Sequence, residues 1–174
     1  MNATLTTRLA NLRARMAATR TDLVVIGPSS HMIYLADLAP HGDERPVMLL
    51  VSASFAGFLM PKLNVDSSRQ HTDLPFFPWS DDTGPDAALE ELLTATGIDR
   101  TAPSIVLDET MRTDFALLVL DALPGATRRF TGDTVGYLRS RKDDAEYAAI
   151  KASAVLNDAA MAAGFAALRP GITE

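Results

Sequence analysis

The sequence predicts an α/β domain in which a mixed, partly parallel sheet is flanked by helices. Short runs of branched apolar residues at positions 23–27, 47–51 and 104–107 have the composition of strands that are buried on both faces. Segments with helical spacing of apolar residues alternate with these runs, which is the order expected of an α/β fold. The 174 residues include 47% hydrophobic and 22% charged side chains, which suits a globular core.

The amino-terminal third supports this interpretation element by element. A first helix is predicted because its apolar residues fall on one face. These residues are Leu5, Leu9, Leu12 and Met16. Ser29 and Ser30 follow the strand at 23–27 and can cap a short helix over residues 31–35. A loop is predicted at 37–46, and strands follow at 47–51 and 55–60.

The middle of the chain predicts further helices and strands. A short helix is expected within residues 65–71, and two prolines confine the apolar segment 74–79 to an edge strand or a rim. Pro85 is expected at the first position of a helix that ends at Gly97. The apolar stripe of that helix is Ala88, Leu89, Leu92 and Leu93. A strand at 104–107, a helix capped by Thr113 and a strand at 127–131 complete the prediction.

The last forty or so residues predict one long helix over 144–168, about 37 Å in length. Its apolar seam is Tyr147, Ile150, Ala154, Met161, Phe165 and Leu168. Pro170 and Gly171 end it, and Thr173 is placed as the N-cap of another element. We therefore expect the polypeptide to continue beyond Glu174.

Composition and motifs exclude several kinds of chemistry. The chain contains no cysteine, so disulfides, Cys-ligated zinc and thiol catalysis are excluded. Glycine-rich phosphate loops, the zinc-protease helix motif and the nucleophile elbow are all absent. The three histidines are expected in solvated loops, although His31 follows a strand end, where α/β sheets bind ligands. Neighbouring carboxylates such as Asp108 and Glu109 point apart and predict no metal site.

Charge and hydropathy restrict the partners and the location. The net charge of −6 argues against binding to nucleic acid. No segment has the length of a signal-peptide core or of a membrane span, so we expect no membrane partner and a cytoplasmic location. The amino-terminal arginines allow a transit peptide as an alternative, but an ordinary amphipathic helix is favoured.

Several segments together resemble proteins of the creatinase/prolidase type. Residues 137–147, YLRSRKDDAEY, resemble the start of the family's linking helix, and residues 168–174, LRPGITE, resemble the segment that opens its catalytic domain. Upstream, residues 23–27, 32–35 and 45–51 are similar to the first strand, the Tyr-Leu turn and the second strand. Ala36 and Asp37 stand where the family often has Thr-Gly. The resemblance covers nearly the whole chain in the right order.

The resemblance implies that the chain is part of a two-domain metallohydrolase. Residues 1–137 would form the amino-terminal α/β domain, which has a ribonuclease H-like motif. Residues 138–174 would supply the linking helix and the first residues of a missing pita-bread domain. That second domain typically binds two divalent metals (manganese, cobalt or zinc) through two Asp, one His and two Glu, all beyond Glu174. No catalytic residue, metal ligand or cofactor is therefore expected in this chain, which should be inactive alone.

The resemblance also implies a function and partners. We expect a non-catalytic domain of an Xaa-Pro dipeptidase or aminopeptidase that shapes the substrate cleft, binds its own catalytic domain and helps to form a homodimer. His31, Tyr34 and Asp37 are the candidates for the cleft. The alternatives are the amino-terminal domain of a creatinase-like C–N hydrolase, a stand-alone binding or assembly module, and an α/β domain for an unknown small molecule.

Overall fold

The computed structural model describes residues 3–173. Glu174, which the sequence predicts to be followed by further polypeptide, lies outside these residues. The chain divides into two units, Met1–Arg139 and Ser140–Glu174. Among the described residues, no helix combines the length and hydrophobicity that crossing a membrane requires.

The first unit is built around one six-stranded sheet. Its strands are β1 (Leu23–Ile26), β2 (Met48–Ser52), β3 (Ala56–Pro61), β4 (Phe76–Trp79), β5 (Ser104–Leu107) and β6 (Thr127–Phe130). Their order across the sheet is β4-β3-β2-β1-β5-β6. β2 pairs antiparallel with β1 and β3, whereas the pairs β1–β5, β5–β6 and β3–β4 are parallel. The predicted mixed, partly parallel sheet is therefore confirmed.

Helices cover both faces of this sheet. They are α1 (Ala3–Thr19), α2 (Ser30–Ala36), α3 (Lys62–Ser68), α4 (Asp86–Thr96), α5 (Thr113–Ala122) and α6 (Val135–Arg139), with a 3-10 helix at Thr131–Asp133. Val24 and Ile26 of β1 pack on the face covered by α1 and α2, while Leu23 and Val25 pack on the face covered by α4 and α5. Burial of both faces explains why β1 is apolar throughout.

Local sequence signals position most of these elements. The predicted apolar residues of α1 are all buried, and Ser29 is the N-cap of α2. Gly97 ends α4 in the left-handed conformation, with φ of 67°. The segment with two prolines is the edge strand β4, whose Trp79 is buried and donates from Nε1 to the Pro46 carbonyl. An edge position accommodates proline because one side of the strand has no partner.

Three helix starts and one helix differ from the sequence predictions. α3 begins at Lys62, ahead of the predicted 65–71, because Pro61 ends β3 and stands directly before the helix. Pro85 occupies the N-cap and not the first helical position of α4. Thr113 is the first residue of α5 and caps nothing, since Arg112 is at the N-cap. The sequence analysis missed α6, which has only five residues.

The turn between α5 and β6 depends on a close backbone approach. A Cβ atom at Gly125 would lie 2.1 Å from the carbonyl oxygen of Thr101. No side chain fits at this distance, so glycine lets the turn pack against the segment before β5.

The second unit consists mainly of the predicted long helix, α7 (Asp144–Ala167). Asp143 is its N-cap and forms a capping box with Glu146: Glu146 N donates to Asp143 Oδ1 at 2.8 Å, and Asp143 N donates to Glu146 Oε2 at 3.0 Å. Apolar side chains along the helix are exposed, including Tyr147 at 62% and Phe165 at 66%.

Candidate functional site

Polar residues gather where three neighbouring strands end. Because β1, β5 and β6 are adjacent and parallel, their carboxyl ends share one edge of the sheet. This edge is where α/β sheets generally bind ligands. The residues after these strands that form one cluster are Ser29, His31, Asp108, Glu109 and Thr131. We call them, together with Arg139, the strand-end cluster.

Ser29 and Asp108 connect the first two strand ends. Ser29 Oγ accepts a hydrogen bond from His31 N at 3.2 Å and donates one to Asp108 Oδ2 at 2.6 Å. The other carboxylate oxygen, Asp108 Oδ1, accepts from the backbone N–H and the hydroxyl of Thr110, at 2.9 and 2.7 Å. Asp108 is 3% exposed. These bonds compensate for the hydration that the buried carboxylate loses.

Thr131 holds Glu109 from the end of β6. Its Oγ1 lies 2.9 and 2.8 Å from the two carboxylate oxygens, and its backbone N–H donates to Glu109 Oε2 at 3.1 Å. Desolvation raises the pKa of Glu109, but hydrogen bonds from its own backbone and from Thr131 outweigh it, and His31 adds a smaller decrease once its imidazole is protonated. The pKa of Glu109 is therefore held below its usual value.

His31 lies between Arg139 and Thr131. Arg139 Nη1 is 2.9 Å from His31 Nδ1, and Thr131 Oγ1 is 3.3 Å from His31 Nε2. Guanidinium can only donate, so Nδ1 accepts and the proton of the neutral imidazole is on Nε2. Burial lowers the pKa of His31 and Arg139 lowers it further, while Asp108 and Glu109 oppose them, with a net decrease.

The bonds form a chain with one consistent direction. Arg139 donates to His31, His31 Nε2–H donates to Thr131 Oγ1, and the Thr131 hydroxyl donates to Glu109. Each donor meets an acceptor when the imidazole is neutral. This series of hydrogen bonds links α6 and α2 to the turn that follows β5.

The cluster contains one group of possible metal ligands. Side-chain ligand atoms of His31, Asp108 and Glu109 lie within 4.8 Å of one another, and no other such group occurs in residues 3–173. A cation needs an unprotonated ring nitrogen. Here Nδ1 already accepts from Arg139 and Nε2 carries the proton. The arrangement therefore fits a hydrogen-bonded network and does not fit a metal site.

The three residues proposed for a cleft from the sequence lie on α2 and its C-cap, in different environments. His31 is 8% exposed, so the expectation that it is a solvated loop residue was wrong: a strand end and a helix start enclose it. Tyr34 is half-buried, with the Arg8 guanidinium 4.2 Å from its ring centroid. Asp37 is exposed at the opposite end of α2, with φ of 54°. It lines a surface groove that also contains His71.

Sequence reasoning missed most of the strand-end cluster. It expected the neighbouring carboxylates of Asp108 and Glu109 to point apart, and this was wrong: ligand atoms of both lie within 4.8 Å of each other, although they bind different partners, Ser29 and Thr131. The available signal was position, because Asp108 directly follows β5 and Thr131 directly follows β6. Arg139 gave no such signal, since it ends a helix that the sequence analysis did not predict.

Comparison with known families identifies the first unit. Residues 8–132 match the sequence profile of the "Creatinase/Prolidase N-terminal domain". The chain belongs to this family. No curated protein sequence matches the chain significantly.

Solved structures share this fold. A dipeptidase from Pyrococcus horikoshii is 29% identical with a TM-score of 0.70, over 79% of this chain and 37% of that chain. A prolidase from Thermococcus sibiricus is 18% identical with a TM-score of 0.86, over 98% of this chain and 46% of that chain. The creatinase/prolidase-type chain described here thus spans less than half the length of either enzyme.

The amino-terminal domain of one relative has been solved as a separate chain. It is the creatinase/prolidase N-terminal domain of an X-Pro dipeptidase from Streptococcus pyogenes, 16% identical with a TM-score of 0.65. The similarity covers 78% of this chain and 98% of that chain.

Proposed function

We propose that this chain is the non-catalytic amino-terminal domain of an Xaa-Pro dipeptidase- or aminopeptidase-like metallopeptidase of the cytoplasm. In that role it would shape the substrate end of the cleft and contribute to a homodimer. The observation that carries the proposal is the family match over residues 8–132, in a chain that covers only 37% of a 29% identical dipeptidase.

The surface of α7 supports a missing catalytic domain. The helix has 24 residues, all of which the structure describes, and none of them is buried. Its exposed apolar side chains include Met161 at 53% and Phe165 at 66%, which lie on one face of the helix because they are four residues apart. An exposed apolar surface of this kind usually contacts another part of a protein. We assign its partner to the polypeptide that follows residue 174.

The proposed parent enzyme would bind two divalent metals, manganese, cobalt or zinc, in its catalytic domain. The residues described here do not fit such a site, because the only group of three possible ligands includes His31, whose ring nitrogens are both engaged. We therefore assign no step of peptide hydrolysis to this chain.

In this role His31 and Tyr34 of α2, together with Asp37 at its C-cap, would lie beside the substrate cleft. Asp37 is exposed and can contact a substrate directly. Tyr34 is half-buried beneath Arg8, and His31 is buried, so these two would act by positioning the helix.

An activity assay of two proteins tests this function. The 174-residue chain and the chain extended by the polypeptide that follows it are each incubated with an Xaa-Pro dipeptide and Mn²⁺, and proline release is measured. We expect only the extended protein to release proline from the dipeptide. Hydrolysis by the 174 residues alone would overturn the proposal, and a coding sequence that stops at residue 174 would favour a stand-alone binding or assembly module.

A further inference from the structure

The hydrogen-bond partners of the two His31 ring nitrogens match a neutral imidazole. Its Nδ1 accepts from Arg139 at 2.9 Å, and its Nε2 lies 3.3 Å from Thr131 Oγ1. A protonated imidazole has N–H groups at both positions and no acceptor. Protonation would therefore place an N–H donor against the guanidinium of Arg139 and bring two positive charges into contact.

Three charged groups face His31, two of them negative, and the one in hydrogen-bond contact with Nδ1 is the positive Arg139. Arg139 approaches from α6, whereas Asp108 and Glu109 approach from the turn after β5. The Asp108 oxygens accept from Ser29 and Thr110, and Glu109 accepts from Thr131. Burial is the largest cause of the lowered pKa of His31, and Asp108 raises this pKa more than Arg139 lowers it, but Arg139 is the group directly bonded to Nδ1.

The helix that carries Arg139 depends on such contacts. α6 has five residues, which is too short for a helix to be stable by itself. Its Val135 is fully buried at the start of the helix, and Arg139 is its last residue. Leu138 packs against the buried core, and Tyr137 contacts the Arg15 guanidinium. The bond from Arg139 to His31 adds a contact at the last residue of α6, directly before the second unit begins at Ser140.

We propose that His31 is a pH-sensitive latch for α6: the neutral imidazole fixes Arg139, and protonation breaks this bond and loosens the carboxyl end of the helix. This inference does not depend on the proposed peptidase function, because it concerns contacts within the first unit alone.

The direction of the pH effect follows from linkage. Burial lowers the pKa of His31 below the ordinary value of 6.5. The unfolded or locally opened state then binds more protons than the native state, so acid favours opening. The stabilisation is complete above pH 6.5 and is lost as the pH falls from there towards the lower native pKa.

Two measurements on the 174-residue chain test the latch. NMR follows the imidazole of His31 during titration, with the exposed His41 and His71 in the same spectrum. Hydrogen exchange follows the amides of α6 between about pH 7.5 and about pH 5, corrected for the intrinsic pH dependence of exchange, with α4 as the reference helix. We expect the protection of α6 to decrease by up to about tenfold per pH unit between pH 6.5 and the lower native pKa of His31, and to level off below that pKa.

Substitutions separate the latch from general acid instability. His31→Gln keeps an uncharged acceptor and donor, so the protection of α6 should no longer respond to pH. Arg139→Gln removes the facing cation, so the pKa of His31 should rise. The proposal is wrong if α6 keeps its protection in wild-type protein while His31 is protonated. It is equally wrong if His31→Gln leaves the loss of protection unchanged, or if Arg139→Gln does not raise the pKa of His31.

Discussion

Ser29 Oγ donates a hydrogen bond of 2.6 Å to Asp108 Oδ2, across 79 positions of sequence. The same hydroxyl oxygen caps α2 by accepting from His31 N. One side chain thus satisfies a helix terminus and a buried carboxylate. The local start of α2 is coupled through it to the end of the parallel strand β5.

Substitution of Ser29 by alanine should lower the stability of the fold. Ser29→Ala removes both the cap and the bond to Asp108, so we expect the free energy of unfolding to fall by about 1–2 kcal/mol. Urea denaturation followed by circular dichroism measures the loss. Ser30→Ala is the matched control, because Ser30 is the first residue within α2, and its change should stay below about 0.5 kcal/mol. Equal losses in both variants would contradict the role of Ser29.

Substitution of Thr131 by valine should alter both stability and a titration. Thr131→Val keeps the shape but removes the hydroxyl that lies 2.8 Å from Glu109 Oε2 and 3.3 Å from His31 Nε2. We expect a loss of about 1–3 kcal/mol, since a buried N–H loses its acceptor. The pKa of Glu109 should also rise, which NMR of the side-chain carboxyl detects. Thr127→Val, at an exposed position of β6, should change neither quantity.

Glu109 should make stability depend on pH in the acid range. Its pKa is lowered in the folded protein, so its contribution is present above the ordinary value of 4.5 and is lost as the pH falls through the lower native value. Glu109→Gln should therefore be less stable than wild type near neutral pH and equally stable in strong acid. The difference in the free energy of unfolding between the two proteins should stay below about 1 kcal/mol, because Glu109 is exposed in part and water screens its charge.

Denaturation of wild type and Glu109→Gln over a series of pH values measures this effect. In the Thr131→Val background the same substitution should have a smaller pH dependence, because the hydroxyl that favours the carboxylate is gone. A difference that grows towards acid would show that the assigned direction is wrong.

A methyl group at Gly125 should destabilise the turn before β6. Gly125→Ala places Cβ 2.1 Å from the Thr101 carbonyl oxygen, so the backbone must move. We expect a loss of about 1–3 kcal/mol. Gly132→Ala is the control, because its Cβ would have no neighbour within 4 Å. Thermal unfolding of the two variants compares them, and a Tm for Gly125→Ala equal to that of the control would refute the close approach.

Most of the secondary structure could be predicted from the sequence because it depends on local patterns. The spacing of apolar residues defined α1, and the run at 23–27 defined β1. The helix α7 was defined by acidic residues at its start and by the periodicity of its apolar residues. Predictions failed where a neighbouring element decided the outcome, as at α6, whose few residues are held by contacts and not by propensity.

By itself, the sequence determined the kind and order of most elements, the buried face of α1 and the resemblance to the creatinase/prolidase type. Only the tertiary structure decided that His31 is buried and bonded to Arg139, 108 positions later. It also joined Ser29 to Asp108 and Thr131 to Glu109. The physical reason is the strand order β1-β5-β6, which sets distant strand ends side by side, and no local periodicity encodes that order.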